Sequence, residues 1–113
     1  MKKDPVIFLK HILESIEIID EFTSGISKEK FLVSVQIQDG VIRRLEIIGE
    51  AVKNLLPEFK YMHPGIEWKK IAGLRDVLIH AYFSVDLDLT WGIVKNDLPE
   101  LKKKIKNIIN SYE

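Results

Sequence analysis

The sequence predicts an all-α fold, an up-down bundle of about five helices. Three observations carry this. Apolar residues recur at spacings of three and four along most of the chain, which is the helical period. No stretch shows the strict alternation of a half-buried strand. Short polar residues that suit helix starts (Asp4, Ser27 and Asp86) stand just ahead of the periodic runs. At 113 residues the chain is long enough for a single core, and it reads as one domain spanning 1–113.

The first helix is expected over residues 4–23. Asp4 is its cap, and Pro5 takes the first helical position, where a missing N–H costs nothing. Ile7, Phe8, Ile12, Ile16, Ile19 and Phe22 supply its apolar stripe, and Thr23-Ser24-Gly25 ends it. Ser27 opens a second segment, with Glu29 favourably placed in its first turn. From Phe31 the pattern runs to Leu56 as one long helix. Val41, Leu45, Ile48, Val52 and Leu55 form a heptad-like seam along it, and Pro57 stops it.

Residues 57–66 hold two of the four prolines and read as a loop. A third helix is expected over 66–80, with Ile71, Leu74 and Leu78 on one face. A fourth covers 86–96, capped by Asp86. A fifth starts near Asp97–Pro99 and carries Leu101, Ile105, Ile108 and Ile109.

The hydrophobic share is 46% and the charged share 30%, which places the chain among folded globular proteins. Lys plus Arg equals Asp plus Glu at 17 each, so broad non-specific coating of nucleic acid is disfavoured while a local basic cleft is allowed. There are no cysteines, which excludes disulfides, thiolate metal sites and thiol nucleophiles. The apolar stretch after Lys2-Lys3 is broken by Lys10, His11 and Glu14, unlike a signal peptide, and no run is long enough to span a membrane. A cytoplasmic location is expected.

The chemistry-bearing stretch is Gly73-Leu74-Arg75-Asp76-Val77-Leu78-Ile79-His80-Ala81-Tyr82-Phe83. An arginine offers a permanently charged fork to phosphate, a histidine exchanges protons near neutral pH, and a tyrosine hydroxyl donates hydrogen bonds or accepts a covalent group. At about 100° per residue, Arg75 and Tyr82 share one helical stripe, and Asp76 and His80 share the next. Asp76 can orient the His80 ring or favour its charged form. Arg75 and His80 stand about 140° apart on an ideal helix. One phosphate is reached by both only if the helix breaks between them or if two copies of the motif meet across a symmetry axis.

Arg75, His80 and Tyr82, spaced Arg-x4-His-x-Tyr, resemble the signature of HepT-like toxins in the HEPN superfamily. Further landmarks are similar to that family: Ile48-Gly49-Glu50-Ala51, the approach His63-Pro64-Gly65-Ile66-Glu67-Trp68, and Trp91 and Asp97-Leu98-Pro99 downstream. The resemblance covers roughly residues 35 to 105. It implies a HEPN-like bundle and a metal-independent endoribonuclease toxin that needs no cofactor. It also implies a homodimer whose two motifs line a shared cleft, and an RNA substrate. The implied partner is a minimal nucleotidyltransferase antitoxin that silences the toxin by attaching AMP to the tyrosine, here Tyr82. Arg75 and His80 are the implied catalytic pair. The alternative it leaves is an inactive HEPN protein that binds nucleotides or scaffolds a nucleotidyltransferase. Where relatives often carry asparagine after the motif arginine, this chain has Asp76, whose carboxylate suits a phosphate site only if it pairs with Arg75 or His80.

Glu50 lies between Gly49 and Ala51. Small neighbours allow close helix approach, so Glu50 is expected to be buried against a cation as a supporting residue. Trp68 and Trp91 read as core or interface aromatics. His11 and His63 read as surface residues, and Lys102-Lys103-Lys104 with Lys106 as a solvated helix face.

Overall fold

A computed structural model describes residues 4–74 and 86–112. Among these residues the chain is helical and contains no strand. Helix α1 spans Pro5–Thr23. The Asp4 carboxylate accepts from the Val6 N–H at 2.9 Å, and Pro5 opens the helix as expected. Gly25 follows in the left-handed region at φ 74°, where a side chain would be strained, and turns the chain toward α2.

Helices α2 (Lys28–Val33) and α3 (Val35–Lys53) replace the single long helix expected up to Leu56. The break is at Ser34. Its hydroxyl accepts from the Ile37 N–H at 3.3 Å, so this residue serves as the cap of α3. The Gln38 amide then donates to the Phe31 carbonyl at 2.8 Å, satisfying an acceptor near the end of α2. Two β-branched valines flank a serine here, a weak helical combination whose alternative is well hydrogen-bonded. The seam of α3 is as expected: Val41, Leu45, Ile48 and Val52 are fully buried.

The segment expected to be a loop over 57–66 contains a short helix, α4 (Pro57–Met62), with Pro57 at its first position. Pro57 therefore starts an element, whereas α3 has already ended at Lys53 with Asn54 as cap. Helix α5 spans Trp68–Ala72 and closes at Gly73. Helix α6 (Leu87–Gly92) is capped by Asp86, whose carboxylate accepts from the Leu89 N–H at 3.0 Å. The Asp88 carboxylate reaches Lys28 of α2 at 2.8 Å, and this pairing holds the Lys28 ammonium above its ordinary pKa.

A widened turn, Ile93–Asp97, joins α6 to α7 (Leu98–Tyr112). The Leu98 N–H bonds back five residues to the Ile93 carbonyl, which is π-helical geometry. Pro99 explains its position, since a proline would clash with the carbonyl four residues earlier in a regular helix. The fourth and fifth helices expected from sequence are therefore nearly continuous.

Helix α1 packs on α3 and α7, and α3 packs on α5. The first two run antiparallel. Phe8 and His11 near the start of α1 meet Ile47 to Asn54 late in α3, while Phe22 late in α1 lies against Gly40 early in α3. A Cβ at Gly40 would stand 2.7 Å from the Phe22 ring, so glycine lets the helices close there. Leu9, Ile12, Ile16 and Ile19 of α1 meet Leu101, Ile105 and Ile109 of α7 in one core.

Candidate functional site

Arg75, Asp76, His80 and Tyr82 lie outside the described residues. The chain leads to them through the aromatic approach that the sequence singled out. Trp68 is buried, and its indole N–H donates to the His63 carbonyl at 2.9 Å. Phe59 of α4 lies 6.1 Å from the Trp68 ring and 4.7 Å from that of His63. These contacts fix the start of α5. Ile71, Ala72 and Leu74 then pack against the core. On the far side of the motif, Asp86 anchors the chain by accepting from the Leu89 N–H at its carboxylate and from both the N–H and the hydroxyl of Thr90 at its carbonyl, each at 3.0 Å.

Two sequence expectations change in this region. His63 was expected on the surface, but its Nε2 is buried and lacks a hydrogen-bond partner among the described atoms. It is enclosed by Phe59 and by Tyr112, whose ring is 6.3 Å away. The lysine run of α7 is only partly a solvated face: Lys102 pairs with Asp20 of α1 at 3.2 Å, and Lys104 donates to the Gly65 carbonyl at 2.8 Å. Both side chains lie on the turns that face other elements. Trp91 is the packed aromatic that was expected, 5.1 Å from Phe31, with the Lys95 ammonium 4.7 Å over its ring.

Glu50 is exposed, contrary to the expectation of a buried carboxylate. Its small neighbours Gly49 and Ala51 are buried, while Glu50 itself is exposed. It stands on the rim of a cavity of about 350 Å³ between α1 and α3. His11, Arg43, Glu46 and Asn54 share this rim, with Phe8 and Ile47 among its apolar lining. Arg43 and Glu46 approach to 3.7 Å one turn apart. The sequence shows the helical spacing of Arg43, Glu46 and Glu50; it does not show that antiparallel packing sets His11 of α1 opposite them. Among the described residues, no group of three or more His, Cys, Asp or Glu side chains is placed to hold a metal ion. No described helix is long and apolar enough to cross a membrane.

The profile described as ribonuclease HepT-like matches residues 12–108. Over its whole length the chain is 51% identical to a Methanocaldococcus jannaschii protein whose name pairs gamma-glutamylcyclotransferase with a provisional RNase assignment. The chain covers 51% of that protein, about half its length. A Thermococcus cleftensis protein named "probable ribonuclease HepT" is 49% identical over 108 residues, covering 96% of this chain and 98% of its own. A provisionally named RNase of Caldanaerobacter subterraneus subsp. tengcongensis is 45% identical over 107 residues, covering 95% and 96%. No solved structure matches significantly.

Proposed function

This chain belongs to the ribonuclease HepT-like family, and on that premise we propose that it is a metal-independent endoribonuclease toxin working through Arg75 and His80. The observation that carries the reading is the family match over residues 12–108, a range that includes the whole Arg-x4-His-x-Tyr motif.

The chemistry follows from the residue types. His80 takes the proton of a ribose 2′-hydroxyl, and the 2′-oxygen attacks the adjacent phosphorus. The P–O5′ bond breaks, and the leaving oxygen takes up a proton from the protonated imidazole of the same or the second subunit. Arg75 neutralises the charge that gathers on the phosphate oxygens. The products are a 2′,3′-cyclic phosphate and a 5′-hydroxyl. Asp76 and Glu50 are supporting residues, Asp76 through the His80 ring. Because Arg75 and His80 diverge on one ideal helix, two chains bring their motifs to a common cleft as a homodimer. A minimal nucleotidyltransferase antitoxin transfers AMP from ATP to the Tyr82 hydroxyl oxygen, with pyrophosphate leaving and the phenolic proton released; the bulky, charged adduct two residues from His80 blocks the cleft.

RNA cleavage by the purified chain and by His80→Ala tests the reading. The variant is expected to fold as the parent does and to lose about 10²-fold or more in rate. Equal cleavage by the two proteins would refute it. Mass spectrometry after coexpression with an active nucleotidyltransferase is expected to find AMP on Tyr82. A clean Tyr82 would remove the off-switch.

A further inference from the structure

We propose that the cavity between α5 and the start of α7 binds an aliphatic polyamine of the putrescine and spermidine class. The inference stands on the cavity itself and goes beyond the ribonuclease reading. Its volume is about 130 Å³. Drug-sized sites begin at roughly 300 Å³, so the occupant is small. The apolar lining comes from two elements: Ile71 and Leu74 from α5 and its end, and Ile93 and Leu98 from the π-turn and α7. The π-turn contributes both its first residue, Ile93, and its last, Asp97. Such turns are rare and recur at functional sites.

Charge decides which small molecule fits. Three carboxylates (Glu67, Asp97 and Glu100) and two ammonium groups (Lys70 and Lys104) line the cavity. The Lys104 ammonium is taken, donating to the Gly65 carbonyl at 2.8 Å. Lys70 reaches Glu67 at 3.7 Å with both side chains largely exposed, so this pair holds neither group firmly. Asp97 and Glu100 make no ion pair among the described residues. Such a lining repels a free phosphate. A purely apolar guest would strip water from the carboxylates and give nothing back. A bare or hydrated metal ion would leave the apolar lining unused. An aliphatic polyamine meets both demands. Its methylenes lie against the isoleucines and leucines, and each ammonium brings three N–H donors to carboxylate oxygens. The acceptors come from both elements, Glu67 ahead of α5 and Asp97 and Glu100 from the turn and α7, which suits a short chain charged at each end.

Titration of the isotope-labelled chain with putrescine, butylamine, 1,4-butanediol and magnesium chloride, followed by NMR amide shifts and calorimetry, tests this. Putrescine is expected to shift the amides around Leu74, Ile93 and Asp97. Butylamine, with one charge, is expected to bind about tenfold more weakly, and butanediol, with none, not to bind. Asp97→Asn with Glu100→Gln is expected to weaken putrescine about tenfold or more. Glu67→Gln, on the other element, is expected to bring putrescine down to the level of butylamine. These side chains are exposed, so circular dichroism is expected to match the parent. Equal affinity for putrescine and butylamine, putrescine binding unchanged in the carboxylate variants, or shifts confined to other parts of the molecule overturns the site. Displacement of putrescine by an equal concentration of Mg²⁺ also overturns it, since it would mark a loose counter-ion. RNA cleavage plays no part in these readouts, so they succeed or fail apart from the ribonuclease reading.

Discussion

His63 carries the one buried side-chain atom that lacks a hydrogen-bond partner among the described residues. Its backbone is well used, donating to Lys60 and accepting from Trp68. The side chain is instead a flat ring among Phe59 and Tyr112. A buried polar atom left unpaired costs about 1–3 kcal/mol. His63→Phe keeps the ring and removes that atom. It is expected to raise unfolding stability by about 1 kcal/mol in a urea titration, and a loss of stability would show that Nε2 has a role in the native state. Sequence could not place this residue, because one of the rings beside it, Tyr112 at the end of α7, is far away along the chain. Glu50 illustrates the same limit in reverse. Its small neighbours are buried while it is exposed, and which of three adjacent residues faces inward depends on the rotation of the helix, which no single residue type announces.

Caps and breaks explain which helices were legible. Asp4, Ser27 and Asp86 act within three residues of themselves, and each bonds as its type and position predict. The break at Ser34 hides because the apolar pattern continues through it; Val33 and Val35, 77% and 66% exposed, are apolar residues that do not face the core. Pro57 was misread for a related reason, since a proline before a gap looks like a stop when the gap already contains a start. Ser34→Ala removes the hydroxyl acceptor of the Ile37 N–H. It is expected to cost about 1 kcal/mol and to speed amide exchange at the start of α3. Unchanged protection at Ile37 would refute the cap.

At the scale of the molecule, α1, α3 and α7 share one apolar core in which Leu45 and Ile105 are fully buried. Leu45→Ala leaves a cavity in this core and is expected to cost about 2–5 kcal/mol, with a single cooperative transition by circular dichroism and fluorescence alike. Separate transitions would mean that the helices do not unfold as a unit. This core was the most legible part of the chain, because burial of a helical stripe repeats every three or four residues. The cavity beside Glu50 was the least legible. It is assembled from α1 and α3 across more than thirty residues of intervening chain, as between His11 and Arg43.

The π-turn before α7 has a bearing on how such a chain can change length. It holds an extra residue inside a helix without rotating the apolar face of α7 out of the core. Deleting that residue would restore ordinary spacing and press Pro99 against the carbonyl four positions before it. Replacing Pro99 alone would leave the surplus residue looped in place. The dependence therefore runs one way: a shortened turn is compatible only with a lost proline, while a lost proline is compatible with either turn length.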